Sequence, residues 1–190
     1  DIVYAEDTRH TRRLLDRYSL SVPMASFHDH NAARAVPAIT ARLRDGGRVA
    51  VVSDAGMPCI SDPGYALVAA LRRENLPYIV VPGPSSVLTA LVLSGFPTDR
   101  FLFHGFVPRK PGARRRMLTE ALADSGTSVL LESCHRIRST IETLLELDPL
   151  REVAVAREIT KLHEETLRGT ADDLLRLLTC LLYPSPSPRD

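Results

Sequence analysis

Six short runs of apolar, largely β-branched residues alternate along this chain with stretches of helical patterning, and that alternation limits the fold more than any other feature. The runs are Ile2 to Ala5, Arg48 to Ser53, Tyr78 to Val81, Phe101 to Phe103, Ser128 to Leu131 and Glu152 to Ala156, each continuous enough to be covered on both faces. Helical patterning falls at about 8–18, 32–45, 63–74, 86–94, 113–123, 136–147 and 171–178, with Gly46 and Gly47 placed to end the second of these helices and Gly95 the fourth. The order predicts an α/β fold. Asp62 and Pro63 read as the N-cap and first position of the 63–74 helix. The segment GFPTDR at 95–100 reads as the boundary between two lobes, 1–97 and 98–179, because Pro97 prevents simple continuation of the helix before it. No internal repeat is evident.

Composition narrows the function classes. With 190 residues, 44% hydrophobic and 25% charged, the chain can bury a core. No apolar run approaches the roughly 18 residues of a membrane span, and the first twenty residues carry charges where a signal peptide would be apolar, so a cytoplasmic protein without membrane attachment is expected. Cys59, Cys134 and Cys180 stand far apart with no CxxC pair, which argues against a disulfide framework or a zinc site. The net charge is +1, so nucleic-acid binding requires a local patch. Two features at the ends are expectations of their own. Residue 1 is Asp, and Ile2 and Val3 already look like strand interior, as in a chain that starts inside a longer protein. The run CLLYPSPSPRD at 180–190 reads as a Pro/Ser tail, expected not to be native and to build no core.

Two loops carry the chemistry. The segment SDAGMPCISDPG at 53–64 follows the strand RVAVV, where open α/β sheets place ligands, and offers the carboxylate of Asp54 and the close backbone approach of Gly56. Asp, Gly and Pro are also ordinary turn residues. A second loop, VPGPSS at 81–86, repeats the pattern after the next apolar run and places Ser85 and Ser86 near a helix N-terminus. Neither GxxxxGK[ST] nor GxGxxG is present, so triphosphate and dinucleotide cradles have no support. His28 and His30 invite a metal reading but lack a third ligand at recognisable spacing, and no metal is expected. Arg109, Lys110, Arg114, Arg115 and Arg116 put five cations within eight residues, a candidate phosphate-binding patch or else a solvated helix face. Aromatic residues make up only 5% of the chain and Trp is absent, so a broad base-stacking platform is not expected.

Taken together, AEDTRHTRRLL (5–15), FHDHN (27–31), SDAGMPCISDPGYALV (53–68), VPGPSSVLTALVLSGFP (81–97), FLFHGFVPRK (101–110), ESCHRI (132–137) and AREITKLHEE (156–165) occur in the order of one family. Over about residues 1–178 the chain resembles the bacterial small-subunit ribosomal RNA methyltransferase I family of the tetrapyrrole methylase-like superfamily. The resemblance implies the two-lobed class III methyltransferase fold with the donor site in the cleft between lobes. It also implies S-adenosylmethionine as donor, 2′-O-methylation of a cytidine ribose in the decoding region of small-subunit ribosomal RNA, and a homodimer. Carried over residue by residue, Asp54, Gly56 and Met57 match the first donor loop and Ser85 and Ser86 the second, with Leu131 and Ala156 as further donor-binding positions.

A ribose hydroxyl is a poor nucleophile, so a group that accepts its proton is expected among Arg157, Glu158, Lys161, His163 and Glu164, and the sequence does not choose among them. Glu6, Asp7, Thr8 and Arg9 read as helix-start chemistry without an assigned role. Members of the family open with a further strand and a Thr-Pro-Ile-Gly-Asn-Leu type loop before the AEDTR segment, and this sequence has neither. A corrin-precursor methyltransferase of the same superfamily and a non-catalytic RNA-binding module are the rival readings.

Overall fold

The computed structural model describes residues 1–181, with side chains as far as Leu178. Two compact units follow one another along the chain, one of Asp1–Ser85 and one from Ser86 onward.

The first unit contains β1 (Ile2–Ala5), α1 (Thr8–Arg17), β2 (Met24–Ser26), α2 (Ala32–Arg44), β3 (Val49–Val52) and α3 (Tyr65–Arg73). Its three strands form a parallel sheet in the order β2-β1-β3, with Ala5 opposite both Ser26 and Val52. Parallel strands in register end on the same side, so the loops after β1, β2 and β3 are neighbours. The core gathers Tyr4, Phe27, Ile39, Leu67 and Leu71, with the rings of Tyr4 and Phe27 edge to face at 6.4 Å. Asp7 caps α1 by accepting the Arg9 backbone N–H at 2.8 Å.

Two expectations fail in this unit. Tyr78–Val81, read as a strand, is in no sheet, and Ile79 and Val81 are 89% and 76% exposed. A β-branched run becomes a strand only by pairing, and none of the described strands pairs with this one. The helix expected from Pro63 begins instead at Tyr65, with Gly64 at the N-cap position and no side-chain cap. Asp62 is engaged elsewhere, by hydrogen bonding with Ser53. Gly64 has φ +144°, and a Cβ there would lie 2.4 Å from the Cys59 sulfur, so only glycine fits this turn.

The second unit holds α4 (Ser86–Ser94), β4 (Phe101–Phe106), α5 (Pro111–Ala123), β5 (Thr127–Leu131), α6 (Ile137–Leu147), β6 (Glu152–Arg157), β7 (Glu165–Thr170) and α7 (Ala171–Leu181). β4 and β5 pair in parallel, and β6 and β7 form an antiparallel hairpin. The Pro97 boundary would place α4 with the first lobe, whereas here Val87 and Leu91 pack on Val129 and Phe103 within the second unit. The other core cluster joins Ile141 of α6 to Ala171, Leu174 and Leu178 of α7. α7 starts on a capping box: Asp173 accepts the Thr170 backbone N–H at 3.1 Å, and the Thr170 hydroxyl oxygen accepts the Asp173 N–H at 3.2 Å. The hydrogen bonds from Thr170 hold the Asp173 carboxyl below the usual range. The Pro/Ser run at 182–190 and the side chain of Cys180 lie outside the described residues.

At the C-terminus of α4, Arg168 of β7 donates from Nε to the Ser94 carbonyl at 3.1 Å and from Nη2 to the Leu93 carbonyl. Helix ends leave carbonyls without intrahelical partners, and a guanidinium is well suited to them. Arg168→Ala should therefore lower the stability of the second unit by about 1–2 kcal/mol, read as a lower urea midpoint at unchanged m value. An unchanged midpoint would show that water serves those carbonyls equally well.

Candidate functional site

In the first unit the site is built on the strand ends. After β1 come Glu6 and Asp7, after β2 come Phe27 and His28, and after β3 come Ser53 and Asp54. The ladder continues briefly past the strands, because Glu6 N–H donates to the Val52 carbonyl at 3.2 Å and Phe27 N–H to the Ala5 carbonyl at 2.8 Å. The loops then tie to each other. Asp54 Oδ1 accepts the Asp7 backbone N–H at 3.3 Å, Asp54 Oδ2 is 2.9 Å from His10 Nδ1, and Glu6 Oε2 accepts the Asp54 backbone N–H at 3.2 Å.

The 53–64 loop turns back on itself. The Ser53 hydroxyl lies 3.3 Å from the Gly56 carbonyl oxygen, and the backbone has positive φ at Gly56, Cys59 and Ser61. Left-handed non-glycine residues are rare and are held only where surrounding structure demands them. The 81–86 loop reaches the first: a Cβ on Gly56 would sit 3.8 Å from the Pro84 carbonyl oxygen, and one on Gly83 would sit 3.6 Å from the Met57 sulfur. The Gly56 backbone thus lies near Pro84, and the Met57 side chain lies against Gly83. Burial and the charges of Glu6 and Asp54 push the Asp62 carboxyl up, and burial followed by the Asp62 charge pushes up the Cys59 thiol. This anionic loop set favours a ligand that brings positive charge.

Asp7, His10 and Asp54 place three possible metal-ligand atoms within 4.8 Å of one another. The Asp7 carboxylate is already taken by the Arg9 guanidinium at 2.6 Å, which holds its carboxyl far below the usual range. The sequence raises a metal only at His28 and His30, whose rings lie 6.0 Å apart. Among the described residues, His28 Nδ1 is the one buried side-chain polar atom without a hydrogen-bond partner.

Ser86, Leu131 and Ala156 belong to the second unit, where all three line a cavity of about 990 Å³ together with Val129, Val153 and Val155. The strands β5 and β6 both border this cavity without pairing to each other. The loop after β5 is fixed by Glu132, whose side chain is only 6% exposed. Its Oε1 pairs with Arg136 at 2.6 Å and accepts the Ser133 N–H at 2.7 Å, and its Oε2 accepts the Thr140 hydroxyl at 2.7 Å. Arg136 in turn donates to the Val107 carbonyl at 3.0 Å.

The five charged candidates lie at the end of β6 and in the loop before β7. Arg157 pairs across the hairpin with Glu165 at 2.6 Å, Lys161 pairs with Glu158 at 3.3 Å, and Glu164 accepts the Thr160 backbone N–H at 2.6 Å. Glu158 and Thr160 both have positive φ. His163 has no such partner among the described residues, and its neighbour Leu162 is 91% exposed.

The basic cluster divides. Arg114 turns inward, donating to the Thr143 and Ser139 hydroxyls at 3.2 and 3.1 Å, and so joins α5 to α6. Arg115 pairs with Glu146 at 2.6 Å. Arg109, Lys110 and Arg116 are exposed, with no ion pair among the described residues.

Two α/β units, the first with ligand-competent loops at the carboxyl ends of parallel strands, define the architecture of a two-domain class III methyltransferase. The family of tetrapyrrole (corrin/porphyrin) methylases matches residues 1–175, and the chain belongs to that family. It is 44% identical over 175 residues to the ribosomal RNA small subunit methyltransferase I of Thermotoga maritima, covering 92% of this chain and 78% of that one. With the protein of the same name from Halalkalibacterium halodurans it shares 41% over 173 residues, or 91% of this chain and 60% of that one. Among solved structures, a cobalt precorrin-4 methyltransferase superposes with a TM-score of 0.62 at 18% identity, over 95% of this chain and 78% of that one, a likeness of fold.

Proposed function

We propose that this chain transfers a methyl group from S-adenosylmethionine to the 2′-hydroxyl of a cytidine ribose in small-subunit ribosomal RNA. The 44% identity with a ribosomal RNA small subunit methyltransferase I over nearly the whole chain is the observation that carries this reading. The site residues fit the donor: its sulfonium and ammonium groups suit a loop set rich in carboxylate, and Gly56 leaves open space where a side chain would otherwise stand. When bound, the donor supplies an activated methyl that already carries its leaving group. The protein then has to hold the acceptor oxygen in line and remove its proton.

In this reading Asp54, Gly56, Met57, Ser85, Ser86, Leu131 and Ala156 hold the donor. Of the five candidates for the proton acceptor, His163 is the one whose side chain is not committed to an internal bond among the described residues, and it takes that role. A homodimer in the cytoplasm completes the proposal; no helix among the described residues is long and apolar enough to cross a membrane.

The test is methyl transfer from labelled donor to small ribosomal subunits lacking the modification, with a corrin precursor offered in parallel. Label recovered as 2′-O-methylcytidine is expected. Label in the corrin alone would move the chain to the superfamily's other branch, and donor-free RNA binding would make it a binding module.

The exposed cations give a second expected outcome. Replacing Arg109, Lys110 and Arg116 together by Ala should reduce the salt slope of RNA binding by up to about three, at roughly one for each phosphate no longer neutralised. Arg115→Ala should leave the slope nearly unchanged, since that guanidinium is paired. Equal slopes for the triple variant and the parent would assign the cluster to a solvated surface.

A further inference from the structure

We infer that His10, with Glu6, is a positioning residue for the donor loop, holding the Asp54 carboxylate and backbone in the geometry that donor binding uses. The inference rests on the reading that Asp54 touches the donor.

β1 and β3 are adjacent and in register, so the residues after Ala5 and after Val52 leave the sheet side by side. Three hydrogen bonds then bracket Asp54 from the β1 side: Glu6 takes its backbone N–H, the Asp7 backbone N–H occupies Oδ1, and the His10 ring occupies Oδ2. His10 stands in the first turn of α1, a helix anchored by its Asp7 cap, so its ring is presented from a rigid support. With both carboxylate oxygens bonded, the side chain cannot rotate freely. It remains 30% exposed, which leaves it open to a ligand.

The arrangement also answers an electrostatic problem. Glu6, Asp54 and Asp62 stand close enough for Glu6 and Asp54 to raise the Asp62 carboxyl. Left alone, a flexible Asp54 would swing away from its like-charged neighbours. A nitrogen donor on one oxygen and a backbone N–H on the other hold it in place instead, and Glu6 is itself occupied by the Asp54 amide. The Arg9 guanidinium is bound to Asp7 and does not replace His10. The His10 ring has to donate from Nδ1, a position that the side-chain amide of Asn can imitate and that Ala cannot.

Calorimetric titration of the full chain with S-adenosylmethionine tests this. His10→Ala and Asp54→Ala should each weaken donor binding at least tenfold, while His10→Asn should recover most of the loss and Glu6→Gln should lie between. Melting curves of all four variants should stay close to the parent, because the His10 side chain is 59% exposed and buries little. Methyl transfer should show the His10→Ala loss in KM for the donor and leave kcat nearly intact. Parental donor affinity in His10→Ala with a loss in Asp54→Ala would overturn the positioning role and leave the donor site standing. Parental affinity in Asp54→Ala, or no donor uptake by the parent, would overturn the donor-site reading and the inference with it. A loss in His10→Ala that Asn fails to restore, accompanied by an earlier melt, would overturn the inference by reducing His10 to a structural residue.

Discussion

Exchange of His163 for Gln should lower kcat for RNA methylation by roughly 10²- to 10⁴-fold, the range for loss of a positioned general base, while KM for the donor stays near the parent value. Its neighbours are already engaged. Arg157 and Lys161 are held by Glu165 and Glu158, and the Glu164 carboxylate is occupied by the Thr160 amide, so each serves the loop before it could serve a substrate. A neutral imidazole also has a ring nitrogen with a free lone pair that can accept a proton, which the charged side chains of Arg and Lys lack. Lys161→Ala and Glu164→Ala should produce smaller losses that appear in KM for RNA as well, because each removes a bond that holds the loop. A Lys161 or Glu164 variant as inactive as His163→Gln, or an active His163→Gln, would move the base elsewhere.

Glu132→Ala should destabilise the second unit by about 3–5 kcal/mol, the cost of breaking a buried ion pair by removing one partner. The carboxylate receives three donors from its own loop and from α6, and Arg136 links the same loop to Val107. Without Glu132, the half-buried Arg136 keeps its charge without a counter-charge, and Thr140 is deprived of its acceptor. Glu132→Gln retains an acceptor and should cost less. Urea unfolding of the two variants measures both values; a loss under about 1 kcal/mol for the alanine variant would show that water reaches Arg136 freely.

Much of the chain could be read locally. The apolar runs of β1, β3, β5 and β6 and the span of α4 came from patterning alone, because strands covered on both faces and regular helices announce themselves over a few residues. β2 is three residues long and offers too little sequence for a pattern. β7, with the sequence ETLRGT, lacks an apolar run because half of an antiparallel hairpin can remain polar. Tyr78–Val81 failed for the opposite reason: its composition suits a strand, but strand formation depends on a neighbour that composition does not reveal. The site divided similarly. The 53–64 and 81–86 loops were visible as turn-rich segments after apolar runs, whereas the hold of Glu6 and His10 on Asp54 joins residues 48 and 44 apart in sequence and exists only because β1 and β3 are neighbours. Arg114 looked like its exposed neighbours until the packing of α5 on α6 turned it inward.

The left-handed backbone at Glu158 and Thr160 has a thermodynamic consequence for association. A loop of ordinary residues that already occupies these uncommon conformations, riveted by Lys161 to Glu158 and by Glu164 to the Thr160 amide, has given up its conformational freedom during folding. Ordering a free backbone costs about 1–2 kcal/mol per residue, and a partner that meets this loop in its finished shape does not bear that penalty again. In the proposed reading, where RNA is the partner that meets this loop, the entropy of docking falls mainly on the RNA and on the exposed tip of Leu162 and His163.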